Sequence, residues 1–405
     1  MTISLGFFTF SKVSQPTPGT PSLLRAINDR AALRVLLDRG PLTRPELGAL
    51  TGLSKPTASQ LLLRLQEAGL VVLDGIREGL PGRTAELYRI NAGAAHVAAL
   101  DVTRDRVEVT VADLTGSIVG TSTLPTPGRA GGDVVDKVRT ALEAAWPHPV
   151  NRVVIGIQGA VDPGTGRLGY AAHIPGWHIP DLVTTLSEGI GVPVDVENDV
   201  NLVALAERDH GGHGDFVLLW VDSGIGSAIV LGGRLHRGAT GGAGEVGYMP
   251  AVGAPTAREV GKRVDHGFQA LAGGPAVLRL LRARGIRGTS AAQAVERAVQ
   301  VVEEGGRHAE EAAEGLREIA RRLAMGLASI TAVLDPDVIV LAGGMPLAGG
   351  ETLRSMTERE LHALTLPRPP LRLSAVGGNP VLTGALHLGL GAVRDEVFGS
   401  TVQGG

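Results

Sequence analysis

Glu197-Asn198-Asp199-Val200-Asn201 is the stretch from which the rest of the chain can be read. It follows Val192-Pro193-Val194-Asp195-Val196, whose alternating β-branched residues predict a strand, and precedes Leu202 to Glu207, whose apolar spacing predicts a helix. A carboxylate between two amides therefore falls at a strand-to-helix corner. There Asp199 can accept a proton or a hydrogen bond from a ligand hydroxyl, while Asn198 brings a donor and an acceptor beside it. Such a set suits a hydroxyl-rich ligand, a sugar above all. The competing reading is that Asp199 simply caps the following helix, as short polar residues do.

Working outward, 405 residues allow two or three domains and a sizeable core. A net charge of -3 and ordinary hydrophobic content describe a soluble globular protein. The opening Met1 to Phe10 lacks a basic leader, and no run of about 18 apolar residues occurs, so a cytoplasmic protein without membrane contact is expected. The lack of cysteine excludes disulfides, thiolate metal sites and cysteine nucleophiles. Charge is uneven: through Ile90 there are 11 Lys/Arg against 7 Asp/Glu, and beyond it 27 against 34. A basic front makes nucleic acid a candidate partner for that segment alone.

Residues 1–21 read as a poorly ordered arm and residues 22–91 as a winged helix-turn-helix. Ser22 to Arg39 has a helical apolar pattern closed by Gly40 and Pro41. Thr43 with Glu46 forms a capping box for a second helix that Gly52 ends, and Ser54 caps a third with Pro56 in its first turn. Leu61, Leu62 and Leu65 give that third helix its buried stripe. In a helix-turn-helix its N-terminal part enters the major groove, which presents Lys55, Thr57, Ser59 and Gln60 to phosphates and base edges. Val71 to Leu73 and Glu86 to Ile90 predict two strands around the tip Gly79 to Arg83, a wing with Arg83 as its probe. A three-helix bundle used for protein contact is the alternative.

From His96 the pattern becomes α/β. Val97 to Asp101, Val107 to Asp113 and Ser117 to Ser122 predict a meander, followed by a helix at Asp133 to Ala145 and a buried strand at Val150 to Ile157. Phe216 to Asp222 and Gly224 to Leu231 begin a second meander. Helices at Ala291 to Glu304 and Ala309 to Val333, then a strand at Val338 to Leu341, complete it. Strands first and helices after, twice over, fit two α/β halves facing a cleft.

From about Ser22 to Val397 the chain resembles a repressor of the ROK family (repressors, open reading frames and sugar kinases). The carriers are Leu50 to Leu65, Tyr88-Arg89-Ile90-Asn91, Ile174-Pro175-Gly176-Trp177, Glu197 to Asn201, Gly242 to Tyr248, and Leu334-Asp335-Pro336 leading to Gly343-Gly344. The resemblance implies an α/β fold with an N-terminal winged helix-turn-helix followed by an actin-like, two-lobed domain of the ROK sugar kinase type. That domain is placed at residues 92–405, with lobes of roughly 92–207 plus the C-terminal helix and 208–384. It also implies a homodimer or homotetramer, a double-stranded DNA operator and a carbohydrate effector, with no cofactor.

Residue by residue, the resemblance makes Asn198 and Asp199 the sugar-binding amide and base, and Glu245 the sugar-binding glutamate. His173 stands where the family has asparagine, Gln269 where it has glutamate, and Tyr248 where a histidine touches sugar and ligates zinc. Between Met249 and Phe268 only His266 remains of the zinc knuckle, so no metal is expected. The phosphate loops depart as well: Asp101-Val102-Thr103-Arg104 lacks the usual glycine, and Asp222-Ser223-Gly224-Ile225-Gly226 puts a carboxylate where an anion would go. The expectation is a carbohydrate-controlled transcriptional regulator, a repressor, with Asp199 a vestigial base and no catalytic residue. An ATP-dependent sugar kinase and a DNA-binding protein whose second domain is only a dimerisation or protein-binding platform are the alternatives.

Overall fold

The computed structural model describes residues 21–78, 84–126, 133–169, 174, 176–211, 214–261 and 265–400. The expected arm up to residue 20 and the wing tip Gly79 to Arg83 lie outside the described residues. The chain divides into two compact units, one formed by Met1–Ala94 together with Arg394–Gly405, the other by Ala95–Val393.

The first unit contains α1 (Pro21–Arg39), β1 (Leu42–Thr43), α2 (Arg44–Thr51), α3 (Lys55–Glu67), β2 (Val71–Glu78) and β3 (Thr84–Ile90). Local chemistry sets these boundaries. Glu46 Oε2 accepts the Thr43 N–H at 2.8 Å, and the Thr43 hydroxyl accepts the Glu46 N–H in return, so the start of α2 has a complete capping box. Gly52 ends that helix with φ 70°, a left-handed conformation that glycine adopts without steric cost. Leu33, Leu36, Leu47, Leu61, Leu62 and Leu65 are buried between the helices, with Tyr88 and Ile90 of β3 beneath them. Buried Asp29 of α1 accepts from Arg64 of α3 at 2.7 Å. The strands form a sheet of order β1-β3-β2.

In the second unit β4 (His96–Val102), β5 (Arg106–Asp113) and β6 (Ile118–Pro125) form the predicted meander. After α4 (Val134–Ala145) come β7 (Arg152–Ile157), the short β8 (Ala160–Val161) and β9 (Leu168–Gly169), α5 (Leu182–Ile190) and β10 (Val194–Asn198). Next are α6 (Asp199–Gly211), β11 (Phe216–Val221), β12 (Ile225–Leu231), β13 (Arg234–His236), α7 (Ala257–Val260), α8 (Gly267–Ala272) and α9 (Gly274–Ala283). The chain continues through α10 (Ala291–Glu304), α11 (Ala309–Leu334), β14 (Val338–Ala342), α12 (Gly344–Leu364), β15 (Leu371–Leu373) and α13 (Pro380–Ser400).

The two five-stranded sheets, β6-β5-β4-β7-β10 and β13-β12-β11-β14-β15, have the same plan. In each, an antiparallel meander is extended by two parallel strands. This duplicated plan is the actin-like architecture. The strand runs are short and β-branched, and their parallel members are buried on both faces, as at Val338–Ala342. Helices α10, α11 and α12 bury the second sheet's core around Phe268, whose ring lies so close to Gly326 that a β-carbon there would overlap it. Polar ties join the sheets: fully buried Glu207 of α6 accepts from Arg372 of β15 at 2.6 Å, from the Ala375 N–H at 3.0 Å and from the Ser374 hydroxyl.

Candidate functional site

Parallel pairing of β10 with β7 sets Asn198 beside Ile157 and brings the polar corner to the ends of both strands. The helix cap is Asn198: its Oδ1 accepts the Asn201 N–H at 3.1 Å, and its Nδ2 donates to the Gly159 carbonyl at 3.0 Å. Asp199 is the first residue of α6, and its Oδ1 accepts the adjacent Val200 N–H at 2.8 Å. Because its neighbour does the capping, Asp199 retains acceptor sites for another group. Burial raises its pKa to about 6, helped by the charge of Asp101 and opposed by backbone donors.

Glu245 comes from the loop between β13 and a 3-10 turn at Val246–Tyr248. Gly244 precedes it with φ 102°, and a β-carbon there would strike the Ser227 carbonyl, which is why the loop can lie against β12. Among the described residues the Glu245 carboxyl takes no hydrogen bond. Burial, then the charge of Asp199, raises it to about 7. The structure thus brings Asp199 and Glu245 into one electrostatic neighbourhood.

The other sugar-side expectations fare differently. Gln269 turns its amide toward the β11–β12 hairpin: Oε1 accepts the Ile225 N–H at 2.7 Å and Nε2 donates to the Ser223 carbonyl at 3.1 Å. Tyr248 is half-exposed and lies 5.4 Å from the His266 ring, centroid to centroid. Trp177 is buried with Ile174 in the first sheet's core, an anchor for its loop rather than a wall. His173 lies outside the described residues. The zinc knuckle of the family has no counterpart in chemistry here: His266 packs on Tyr248, the segment has no thiolate, and no cluster of three His, Cys, Asp or Glu able to hold a metal occurs among the described residues. These residues do not fit a structural zinc. The segment is held by the Phe268 N–H to Met249 carbonyl bond at 2.8 Å, the Gly267 N–H to Pro255 carbonyl bond at 2.8 Å, and a capping box between Thr256 and Glu259.

On the phosphate side three backbone donors are engaged internally. The Asp222 N–H bonds to the Gly224 carbonyl at 2.9 Å, the Ile225 N–H to Gln269, and the Gly274 N–H to the Asp222 carbonyl at 2.9 Å. Gly343, with φ 93°, packs against Val221, and a β-carbon at Gly344 would lie 3.3 Å from Asp222 Oδ2. The Asp222 carboxylate therefore stands beside the N-terminus of α12, a place that favours an anion. Asp101, buried at the end of β4, accepts from Asn379 Nδ2 at 2.8 Å, and the same nitrogen donates to Glu108 at 2.7 Å. Burial is the main cause that lifts the Asp101 pKa. Arg104 is exposed.

In the first unit, Lys55 and Gln60 are exposed on α3, and Thr57 and Ser59 are half-buried. The Thr57 hydroxyl is 2.8 Å from that of the cap Ser54, and Ser59 donates to the Lys55 carbonyl at 3.0 Å. Lys55 and Gln60 thus keep their donors, whereas the two hydroxyls are partly engaged by the helix itself. Leu63, 57% exposed, shares the Gln60 face one turn on. Sequence reasoning missed it, although its position off the Leu61/Leu62/Leu65 stripe is the signal. Arg77 of β2 pairs with Glu46 at 2.6 Å, and Arg83 lies outside the described residues.

The ROK family profile matches residues 97–390. The chain belongs to the ROK family. A MarR family profile matches residues 27–78, so a MarR-type winged helix-turn-helix precedes the ROK region. A putative xylose repressor of Caldicellulosiruptor sp. (strain Rt8B.4) is 24% identical over 347 residues, covering 82% of this chain and 86% of that protein. A glucokinase of Streptomyces coelicolor is 28% identical over 260 residues, 61% of this chain and 81% of the enzyme. Among solved structures, a ROK family transcriptional regulator homologous to the E. coli MLC protein has a TM-score of 0.70 at 19% identity, covering 94% of this chain and 100% of its own. A ROK family glucokinase from Streptomyces griseus, in complex with glucose and AMPPNP, has a TM-score of 0.59 at 26% identity over 73% of this chain and 99% of its own. Among the described residues of this ROK protein no helix is long and apolar enough to cross a membrane.

Proposed function

We propose that this ROK protein is a sequence-specific DNA-binding repressor of carbohydrate genes, controlled by sugar binding at Asn198, Asp199 and Glu245, and without kinase activity. The observation that carries the reading is the occurrence in one chain of a MarR-type head and a ROK region. The relatives named xylose repressors support it, and aldoses are therefore the first effectors to test. Lys55 and Gln60 read DNA from α3 with Leu63 available for an apolar base contact, and Arg83 serves as the probe of the wing. The protein acts as a homodimer or homotetramer on a roughly palindromic operator.

In phosphoryl transfer most of the catalysis comes from neutralising and positioning phosphates, so a base alone does little. Here the hairpin amides are bonded to Gln269 and Gly224, and Asp222 brings a negative charge to the nucleotide side. The second reading, a sugar kinase, draws on Asp199, whose pKa of about 6 suits a general base.

Footprinting with and without an aldose panel, alongside an assay with magnesium and ATP, separates the two. The expected outcome is a protected palindrome whose occupancy changes with one sugar, and no phosphorylated product. In the same assay Gln60→Ala relaxes one base position by about 1–3 kcal/mol. No protected site, or sugar-dependent ATP turnover that vanishes in Asp199→Asn, overturns the reading.

A further inference from the structure

The corner that bears Asp199 and the loop that bears Glu245 belong to different sheets of the second unit, and an ion pair links them. Glu197, buried at the end of β10, uses both carboxylate oxygens: Oε1 accepts from Asn201 Nδ2 at 2.8 Å and from the Asn198 N–H at 3.0 Å, while Oε2 accepts from Arg237 Nε at 2.7 Å. Arg237 follows β13 directly. Its carbonyl accepts the Ala243 N–H at 3.1 Å and so closes the base of the loop, after which the Gly244 carbonyl takes the Ser227 N–H at 2.8 Å and Glu245 emerges. One side of the pair is thus built into the asparagine cap of α6, and the other into the root of the Glu245 loop.

We infer that Arg237 and Glu197 are positioning residues for the effector: their ion pair fixes the separation of Asp199 and Glu245 to that of hydroxyls on one sugar ring. The two acceptors repel each other, because the charge of Asp199 disfavours ionisation of Glu245. Arg237 supplies an attraction across the two banks without donating to either carboxylate. Half of the Arg237 side chain is exposed, whereas Glu197 keeps its two other donors if the guanidinium is removed. Because Glu197 keeps those two donors, loss of Arg237 affects the alignment of the banks more than the fold.

This inference rests on the sugar-binding reading above, and the test separates them. The full chain is titrated with aldoses, d-xylose and d-glucose first, as wild type, Arg237→Ala, Arg237→Lys and Glu197→Gln. Arg237→Ala is expected to weaken sugar binding about tenfold or more, with a sugar-free melting temperature within about 3 °C of wild type. Lysine, which keeps the charge, restores part of the loss, and Glu197→Gln weakens binding in the same direction. If wild type binds a sugar and Arg237→Ala binds it equally well, the inference fails and the functional reading stands. If Lys and Ala lose equally alongside a large fall in melting temperature, the pair is structural. A wild-type chain that binds none of the panel overturns the functional reading, and this inference with it.

Discussion

The proposed sugar end of the second unit and the end where its relatives' fold would face phosphate are built from similar materials and arranged oppositely. At the sugar end two carboxyls, Asp199 and Glu245, are buried enough to be shifted to about 6 and about 7, yet hold hydrogen-bonding capacity in reserve. At the end proposed to face phosphate, Asp101 is bonded to Asn379, the Ile225 and Asp222 amides are bonded to Gln269 and Gly224, and Asp222 lies at a helix N-terminus. Polar groups near a cleft do not by themselves make a site. What distinguishes recognition from structure is whether those groups still lack partners that a ligand can supply, because an unmet buried group makes the ligand's hydrogen bond worth forming.

The largest effect that probes this contrast is expected at Asp199. Asp199→Asn removes the sugar-dependent shift of operator affinity altogether, a coupling of about 1–3 kcal/mol; a variant that still responds to sugar would move the effector elsewhere. At the opposite end, Gln269→Ala leaves the Ile225 N–H and the Ser223 carbonyl without their partner and costs about 1–3 kcal/mol in urea unfolding. ATP is expected to stay unbound in that variant at about 1 mM, near the top of the usual Michaelis range, because Asp222 remains; uptake of ATP would show that one amide was the whole barrier.

A smaller effect follows from the raised carboxyls. Between about pH 4 and 7 the folded chain holds protons on Asp199 and Glu245 that the unfolded chain has released, so sugar-free stability falls as pH rises. Sugar affinity runs the other way, increasing about tenfold from pH 6 to 8 as Glu245 ionises and becomes a full acceptor. Isothermal titration at several pH values and melting curves at the same values check the opposed signs; affinity that is flat with pH would remove the carboxyls from the sugar's contacts. The smallest expected effect is none at all: a strong chelator leaves the melting temperature unchanged and elemental analysis finds no stoichiometric zinc. Loss of structure on chelation would contradict the backbone bonds and the Thr256–Glu259 capping box as what holds that segment.

The head was legible because its punctuation is local. Thr43 with Glu46, Gly52, and Ser54 with Pro56 each act within a few residues, and the helices begin and end there. The meanders were legible for a similar reason, since alternating β-branched runs set their own strands. The two-residue β1 was not, because it exists only by pairing with β3 across 44 residues. Nor could the sequence say which member of the Asn198-Asp199 pair caps α6, since both residue types do so equally well. The role of Gln269 depends on a hairpin 44 residues away and was beyond any local pattern.

The closing helix α13 contributes Pro380–Val393 to one unit and Arg394–Ser400 to the other, where Asp395 meets Arg30 of α1. The head is therefore discontinuous along the chain, and its pieces leave the ribosome about 300 residues apart. At about 5–20 residues per second the nascent head waits on the order of tens of seconds for Asp395 to arrive. During synthesis the head is thus among the first parts to be made and among the last to be completed.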